Sequence, residues 1–356
     1  MKTEAMPVSA KRVKEIAAEC GFEIVGVASA APLSEHAWYR EWAALGMAGR
    51  MSYLTDRRGD ARQDPRRLLA SARSVLCVGK LYNAPKPYSV DFEAVELGWI
   101  SRYAWGEDYH RVVADGLHRV VARLKSSGAG PFDWKVCVDT APLLERALAR
   151  RAGLGWIAKN TCLIREGMGS WFFLGELLLS LDLESDSPPD ERCGSCTRCI
   201  DACPTRAIVP AGRAEPAWAI DSRLCISYLT IELRGPWPHE LRGAAGLNVF
   251  GCDICQDVCP WNTNAPVTPD SAFEPANFAP PLERMAALTE EEFVAMFRGT
   301  PVTRAKYTGF LRNVAVAMGN SGRPEFRAPL ERLAQHPDPA VADHAGWALA
   351  HIGRIK

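Results

Sequence analysis

Over the first ~180 residues, apolar positions recur with two alternating periods, the spacing of helices and the near-continuous runs of buried strands. Residues 11–20 put Val13, Ile16, Ala17 and Cys20 on one helical face, and Gly21 follows as a stop signal. Ile24-Val-Gly-Val-Ala28 predicts a strand, and Ser74-Val-Leu-Cys-Val-Gly79 predicts a buried one, since no polar residue alternates with the apolar ones. Residues 107–125 predict a helix with Val113, Leu117, Val120 and Leu124 facing inward. A strand at 135–139, a helix at 143–151 ended by Gly153, and strands at 157–165 and 171–183 complete the series. This alternation predicts an α/β sandwich.

The pattern then changes. The acidic stretch 184–191 marks a boundary, a Cys-rich segment runs to 264, and 265–281 is a Pro-rich linker. Residues 282–356 read as helical and contain an echo: Val314-Ala-Val-Ala-Met-Gly319 resembles Trp347-Ala-Leu-Ala-His-Ile-Gly353 at a spacing of 33 residues. That period suits stacked HEAT-like helical repeats. Two repeats do not make a free solenoid, so this segment is expected to pack on what precedes it. The expected domains are therefore 1–183, 184–264 and 282–356, with 265–281 as the linker.

Composition narrows the class. The 356 residues carry 42 Lys+Arg against 42 Asp+Glu, and 47% are hydrophobic, as in a globular chain. Zero net charge removes the simplest nucleic-acid signature, a strongly basic chain, but leaves room for a local basic face. No apolar run approaches the ~20 residues of a membrane span; the longest, 171–183, is interrupted by Gly175 and Glu176. Met1-Lys-Thr-Glu-Ala-Met6 has neither an apolar signal core nor twin arginines. A cytoplasmic protein with no membrane partner is expected.

Twelve cysteines then need a reason, because stable disulfides are rare in the cytosol. Eight of them fall between Cys193 and Cys259. Cys193-Gly-Ser-Cys196-Thr-Arg-Cys199-Ile-Asp-Ala-Cys203-Pro204 matches the bacterial ferredoxin run C-x2-C-x2-C-x3-C-P at every position. Cys252-Asp-Ile-Cys255-Gln-Asp-Val-Cys259-Pro260 lacks one leading cysteine, which Cys225 can supply from 27 residues upstream. In such runs the fourth cysteine serves the other cluster. One 4Fe-4S cluster is thus expected on Cys193, Cys196, Cys199 and Cys259, the second on Cys203, Cys225, Cys252 and Cys255. Zinc is the rival reading, since two C-x2-C pairs also build zinc sites, but it does not account for the x2, x2, x3 rhythm before proline. Cys20, Cys77 and Cys137 read as core, and Cys162, beside Lys159 and Asn160, stays open as functional. Two adjacent cubanes alone describe an electron carrier; an α/β domain ahead of them suggests that the electrons are used.

Six stretches taken together resemble the epoxyqueuosine reductase family. They are Trp105-Gly-Glu-Asp-Tyr-His110, Val138-Asp139-Thr140, Gly153-Leu-Gly-Trp-Ile-Ala-Lys159-Asn160, the Cys193 run, Cys225-Ile-Ser-Tyr-Leu-Thr230, and the Gly251 to Pro260 run. The resemblance covers nearly the whole chain, and it implies cobalamin on an N-terminal domain whose fold is similar to the corrinoid domain of reductive dehalogenases. It further implies removal of the epoxide oxygen of epoxyqueuosine at the tRNA wobble position, giving queuosine. The cobalt is reduced through two 4Fe-4S clusters, fed by an external one-electron donor such as ferredoxin or flavodoxin. A monomer is expected.

On this reading Asp139 donates a proton to the opening epoxide, its pKa raised by burial; its bland role is capping the helix that begins near Pro142, a role Thr140 also suits. The resemblance places Arg62, Ser101, Tyr109, Asp139, Lys159, Asn160 and Ser227 at the cofactor, with Trp105 and Trp156 as further aromatic candidates. Asp108-Tyr109-His110 begins like the D-x-H-x-x-G motif of histidine-ligated cobalamin, but Val113 replaces the glycine. His110 then reads as a surface residue near a helix start. For tRNA the candidates are Arg66-Arg67 and the group Arg298, Arg304, Lys306 and Arg312, with the acidic stretch 182–191 facing away. Two rivals stand. A reductive dehalogenase is expected to carry an export signal and a membrane-anchor partner, and a plain ferredoxin-type carrier leaves the other segments without a role.

Overall fold

The computed structural model describes residues 8–85 and 87–352. The reading of Met1–Met6 and the last residue of the helical echo, Gly353, lie outside them. Four of the expected strands form one sheet: β1 (Ile24–Ser29), β2 (Ser74–Leu81), β3 (Trp134–Cys137) and β4 (Phe172–Leu179), in the order β1-β2-β4-β3. Helices α1 (Ala10–Glu19) and α2 (Tyr109–Ser126) cover one face, where Ile16, Val113, Leu117 and Val120 meet Val27, Leu76, Leu177 and Leu179. Helix α3 (Glu145–Arg151) covers the other, its Leu148 and Ala149 against Ile24, Val75 and Leu178. The layers are those of an α/β sandwich. Every pairing in the sheet is antiparallel, however. Direction is set by the long excursions between strands, about which an apolar run says nothing.

Two elements differ from the reading in ways that shape the site. Residues 157–165 are not one strand. Trp156–Ile157 and Leu163–Ile164 pair as a short ladder, and the polar Lys159-Asn160-Thr161 turns the chain back between them, with Thr161 at φ +62. Helix α3 starts at Glu145, with Leu144 at its N-cap position and no side-chain cap. Neither Asp139 nor Thr140 caps it.

The C-terminal segment is helical and packs onto the rest of the chain. Helix α4 (Tyr307–Ser321) lies against helix α5 (Pro339–His351), and Val314, Val316, Val341 and Trp347 share one core with Trp99, Ile100, Trp105, Leu229 and Phe250. A Cβ on Gly319 would come within 2.8 Å of Ala348 Cβ, so this glycine permits the close helix approach. Among the described residues no helix is long and apolar enough to cross a membrane.

Candidate functional site

Asp139 follows β3 in the left-handed backbone region, at φ +52, where Asp and Asn are the residues most easily accommodated after glycine. Its backbone N–H donates to Glu145 Oε1 at 2.6 Å, which ties the turn to the start of α3. Its carboxylate Oδ2 lies 3.0 Å from His110 Nε2, and His110 Nδ1 lies 2.6 Å from Asp108 Oδ1. Asp108 also caps α2, accepting from the His110 N–H at 3.0 Å. The first turn of α2 therefore delivers a histidine gripped between two carboxylates.

Electrostatics settle where the proton of this triad rests. Burial alone would raise Asp139 and lower His110. The hydrogen bond and charge of His110, with help from Arg304 and the Tyr109 hydroxyl, instead hold Asp139 below the usual carboxylate range. Against burial, the bonds to Asp108 and Asp139 push His110 up to about 9. The expectation of a raised Asp139 is thus corrected: at neutral pH the couple is a carboxylate beside an imidazolium, and the proton sits on His110. The reading of His110 as a plain surface residue is corrected with it.

An open cleft of about 460 Å³, with His110, Val138 and Thr140 in its lining, lies beside Asp139. The Asp139 side chain is 44% accessible, yet Tyr53, Tyr103, Tyr109 and Arg304 all feel its charge. Arg304 lies 5.5 Å from the centre of the Tyr53 ring and pairs with Glu232. The Tyr109 ring stacks on Phe173 at 4.3 Å and on His110 at 4.2 Å, which fixes the imidazole plane. Arg62 is buried on the Tyr53 side, donating to the Tyr53 carbonyl at 3.2 Å.

The cysteines gather in two groups. Cys199 is within electrostatic reach of Cys193, Cys196 and Cys259, and Cys225 and Cys252 are within reach of Cys203 and of each other; Cys255 reaches Cys252 and Cys225 and also Cys199. Burial raises the Cys199 thiol to about 11; a bound metal centre would reverse that by holding the thiolate deprotonated. Cys162, raised by burial to about 12, lies between the groups, within reach of Cys259, Cys199 and Cys225. Among the described residues no three His, Cys, Asp or Glu side chains are close enough together to hold one metal ion.

Several residues expected at a cofactor serve these loops. Lys159 Nζ donates to the carbonyls of Gly194 (2.6 Å) and Cys196 (3.1 Å). Asn160 Nδ2 donates to the Cys255 carbonyl at 3.0 Å. Ser227 lies beside Cys225 and lowers its thiol against the larger, raising effect of burial. Ser101 Oγ donates to Asp253 at 2.5 Å, beside bonds from Trp99 Nε1 and the Arg102 N–H. A Cβ on the neighbouring Gly251 would sit 2.4 Å from Ser101 Cβ. Lys159 and Asn160, read as donors to a cofactor, hold the thiol loops through these bonds. Trp105 is core, with its Nε1 on the Ile100 carbonyl at 2.6 Å, and Trp156 is buried against Trp261.

The basic group divides. Arg312 is 1% exposed and spends its guanidinium on the carbonyls of Leu229, Leu233 and Gly235. It is removed from the RNA candidates. Arg298 and Lys306 are exposed, while Arg66 is paired with Asp64 at 2.8 Å and Arg67 is tied to the Asp60 carbonyl at 2.9 Å. Sequence reasoning missed Glu145 and the role of His110. Asp108 two residues before His110 was the available signal, since a helix-capping Asp can also hold the ring of the second helical residue.

Comparison with known proteins follows this geometry. Residues 192–262 match the family model described as 4Fe-4S double cluster binding domain, and residues 62–140 match Epoxyqueuosine reductase QueG, DUF1730. The epoxyqueuosine reductase of Xanthomonas campestris pv. campestris is 41% identical over 97% of this chain and 96% of its own. That of Pseudomonas aeruginosa is 39% identical, covering 97% and 94%. An epoxyqueuosine reductase solved with an epoxyqueuosine-modified tRNA-Tyr stem loop superposes with a TM-score of 0.86 at 29% identity, covering 96% of this chain and 90% of that one. The Bacillus subtilis enzyme, solved with its catalytic aspartate loop swung out of the active site, gives 0.85 at 28% identity over the same shares.

Proposed function

This chain belongs to the epoxyqueuosine reductase family, and from that premise we propose that it reduces epoxyqueuosine to queuosine at the wobble position of tRNA. The observation that carries the proposal is the Asp139–His110 couple, a stored proton standing at an open cleft. The epoxide oxygen leaves as water, which takes two electrons and two protons. The electrons enter singly from an external donor such as ferredoxin or flavodoxin.

The two thiol groups fit the expected ligand sets, Cys193, Cys196, Cys199 and Cys259 for one 4Fe-4S cluster and Cys203, Cys225, Cys252 and Cys255 for the other. Lys159, Asn160 and Ser227 shape those loops, and Ser101 anchors one of them through Asp253. The residues that would hold cobalamin are those gathered around Asp139, Tyr53 and Tyr103 with Arg62 and Arg304, while Tyr109 is already stacked between Phe173 and His110. When bound, cobalamin supplies a strongly nucleophilic reduced cobalt. Residues 1–183 then serve as the catalytic domain, 184–264 as the electron conduit, and 282–356 as a HEAT-like buttress.

Asp139 delivers the proton that His110 keeps. In an open, wet cleft the ion pair is favoured. Substrate and cofactor exclude water, and desolvation penalises two charges more than a neutral acid beside a neutral imidazole. The proton then returns from Nε2 to the carboxylate, while Nδ1–H keeps its bond to Asp108. Asp139 thereby becomes a general acid only when the site is closed. Exposed Arg298 and Lys306, beside Arg304, are the proposed phosphate contacts.

Protein reconstituted with iron, sulfide and cobalamin tests this. Under reducing conditions it should convert epoxyqueuosine-containing tRNA to queuosine-containing tRNA. Loaded protein that forms no queuosine, but releases halide from an aryl halide, would be a dehalogenase instead. Loaded protein that does neither while passing electrons to an acceptor would be a carrier.

A further inference from the structure

Glu176 lies in the middle of β4 with 0% exposure, and among the described residues neither of its carboxyl oxygens has a hydrogen-bond donor in reach. Cys77 on β2 and Cys137 on β3 flank it in register across the sheet. Helix α3, which begins at Glu145, packs on β4, and the Glu145 carboxyl acts on that of Glu176. Arg146 and Asp139 are the other charged groups acting on this pair. Glu145 is also the residue whose Oε1 accepts the backbone N–H of Asp139 at 2.6 Å.

Two ionised carboxylates acting on each other at such a site, one of them fully buried, are strongly repelled and desolvated. A shared proton removes the conflict: one group becomes the O–H donor the other lacks. Its presence is consistent with burial pushing Glu145 up to about 7 and Glu176 well above the carboxylate range.

We propose that Glu145 and Glu176 form a proton-sharing carboxyl clasp that holds the Asp139 turn in its left-handed conformation and so aims the proposed proton donor into the cleft. Both act as positioning residues, and their importance to turnover rests on the function proposed above. The buried Glu176 orients Glu145, and Glu145 accepts the one backbone donor that a residue at φ +52 presents to it. Without the acceptor the turn gains alternatives that direct the Asp139 carboxyl elsewhere.

The test compares Glu145→Ala, which removes the acceptor, with Glu145→Gln, which keeps a carbonyl oxygen there, and adds Glu176→Gln and Glu176→Leu. Three readouts are taken on cluster-loaded protein. Amide hydrogen exchange at Asp139 should speed at least tenfold in Glu145→Ala and stay near wild type in Glu145→Gln, with β2 and β4 amides unchanged as the folding control. Infrared spectra should show a protonated-carboxyl carbonyl band in wild type that Glu176→Leu abolishes. Single-turnover rates should fall about 10²-fold in Glu145→Ala, the loss expected of a donor misplaced by an ångström, with tRNA affinity unchanged and Gln variants largely rescued. Unchanged Asp139 exchange in Glu145→Ala, or no carboxyl band in wild type, overturns the clasp. Neither of those two readouts needs turnover, so an inactive wild type would refute the function while leaving the clasp standing.

Discussion

Replacing Asp139 by Asn separates acid catalysis from every structural use of that residue. The backbone there sits at φ +52, which Asn tolerates nearly as well as Asp, so the turn survives. The bond to Glu145 is made by the backbone N–H and survives too. No helix cap is lost, because α3 begins at Glu145 without a side-chain cap. The ion pair with His110 is 31% and 44% exposed on its two sides, so its loss changes stability by only about 0–1 kcal/mol. What disappears is the proton site. Loss of a general acid slows the chemical step by ~10²–10⁴-fold, or about 2.7–5.5 kcal/mol of barrier. The assay is single turnover on epoxyqueuosine tRNA with the cobalt prereduced, so that electron delivery does not limit. Cluster content, cobalamin binding and tRNA affinity should match wild type. A rate within about threefold, well short of the smallest acid-catalysis effect, would refute the proton-donor role.

Three further outcomes are expected. His110 is held up to about 9, above its unfolded ~6.5, so its contribution to stability is fully present below ~6.5 and is lost as pH rises through about 9. The wild-type single-turnover rate should fall along the same alkaline limb; His110→Gln should abolish that limb and be slow at neutral pH, and an unchanged limb in the variant contradicts the couple. Cys203→Ser should lower iron from about eight to about four per chain and spare the cluster assigned to Cys193, Cys196 and Cys199; selective loss of that cluster instead reverses the ligand assignment. Charge reversal at Lys306 or Arg298 should weaken tRNA binding and flatten its salt dependence by about one unit of slope per lost phosphate contact, with the cobalt spectrum unaltered; a slope equal to wild type in both variants removes this face.

What the sequence discloses depends on whether the deciding contact is local. The thiol spacing is local, so a double-cluster segment was legible, matching the family model over 192–262, and so were the apolar runs that became β2 and β4. Strand direction was not, because a run such as Ser74–Leu81 reads the same in either orientation. Arg312 shows the limit clearly. As a letter it is one more basic residue, and only the carbonyls of Leu229, Leu233 and Gly235, some 77–83 positions away, bury it. His110 and Asp139 are 29 residues apart, and a histidine at a helix start reads as solvated until the turn after β3 is brought against it.

Yet the chain did mark the places where chemistry overrides packing. Glu176 interrupts a run otherwise fit for a buried strand, and Asp139 closes a strand in a backbone conformation that most residues avoid. Each is a local choice in conflict with its surroundings, and such conflicts persist where function requires them. A neutral core residue at 176 would pack at least as well between Cys77 and Cys137, and glycine at 139 would relieve the turn. The retained carboxyls stand at opposite ends of one chain of contacts, Glu176 to Glu145 to the Asp139 backbone and on through the Asp139 carboxylate to His110. Along that chain a fold-level burial cost is converted into the aim and protonation of a single side chain.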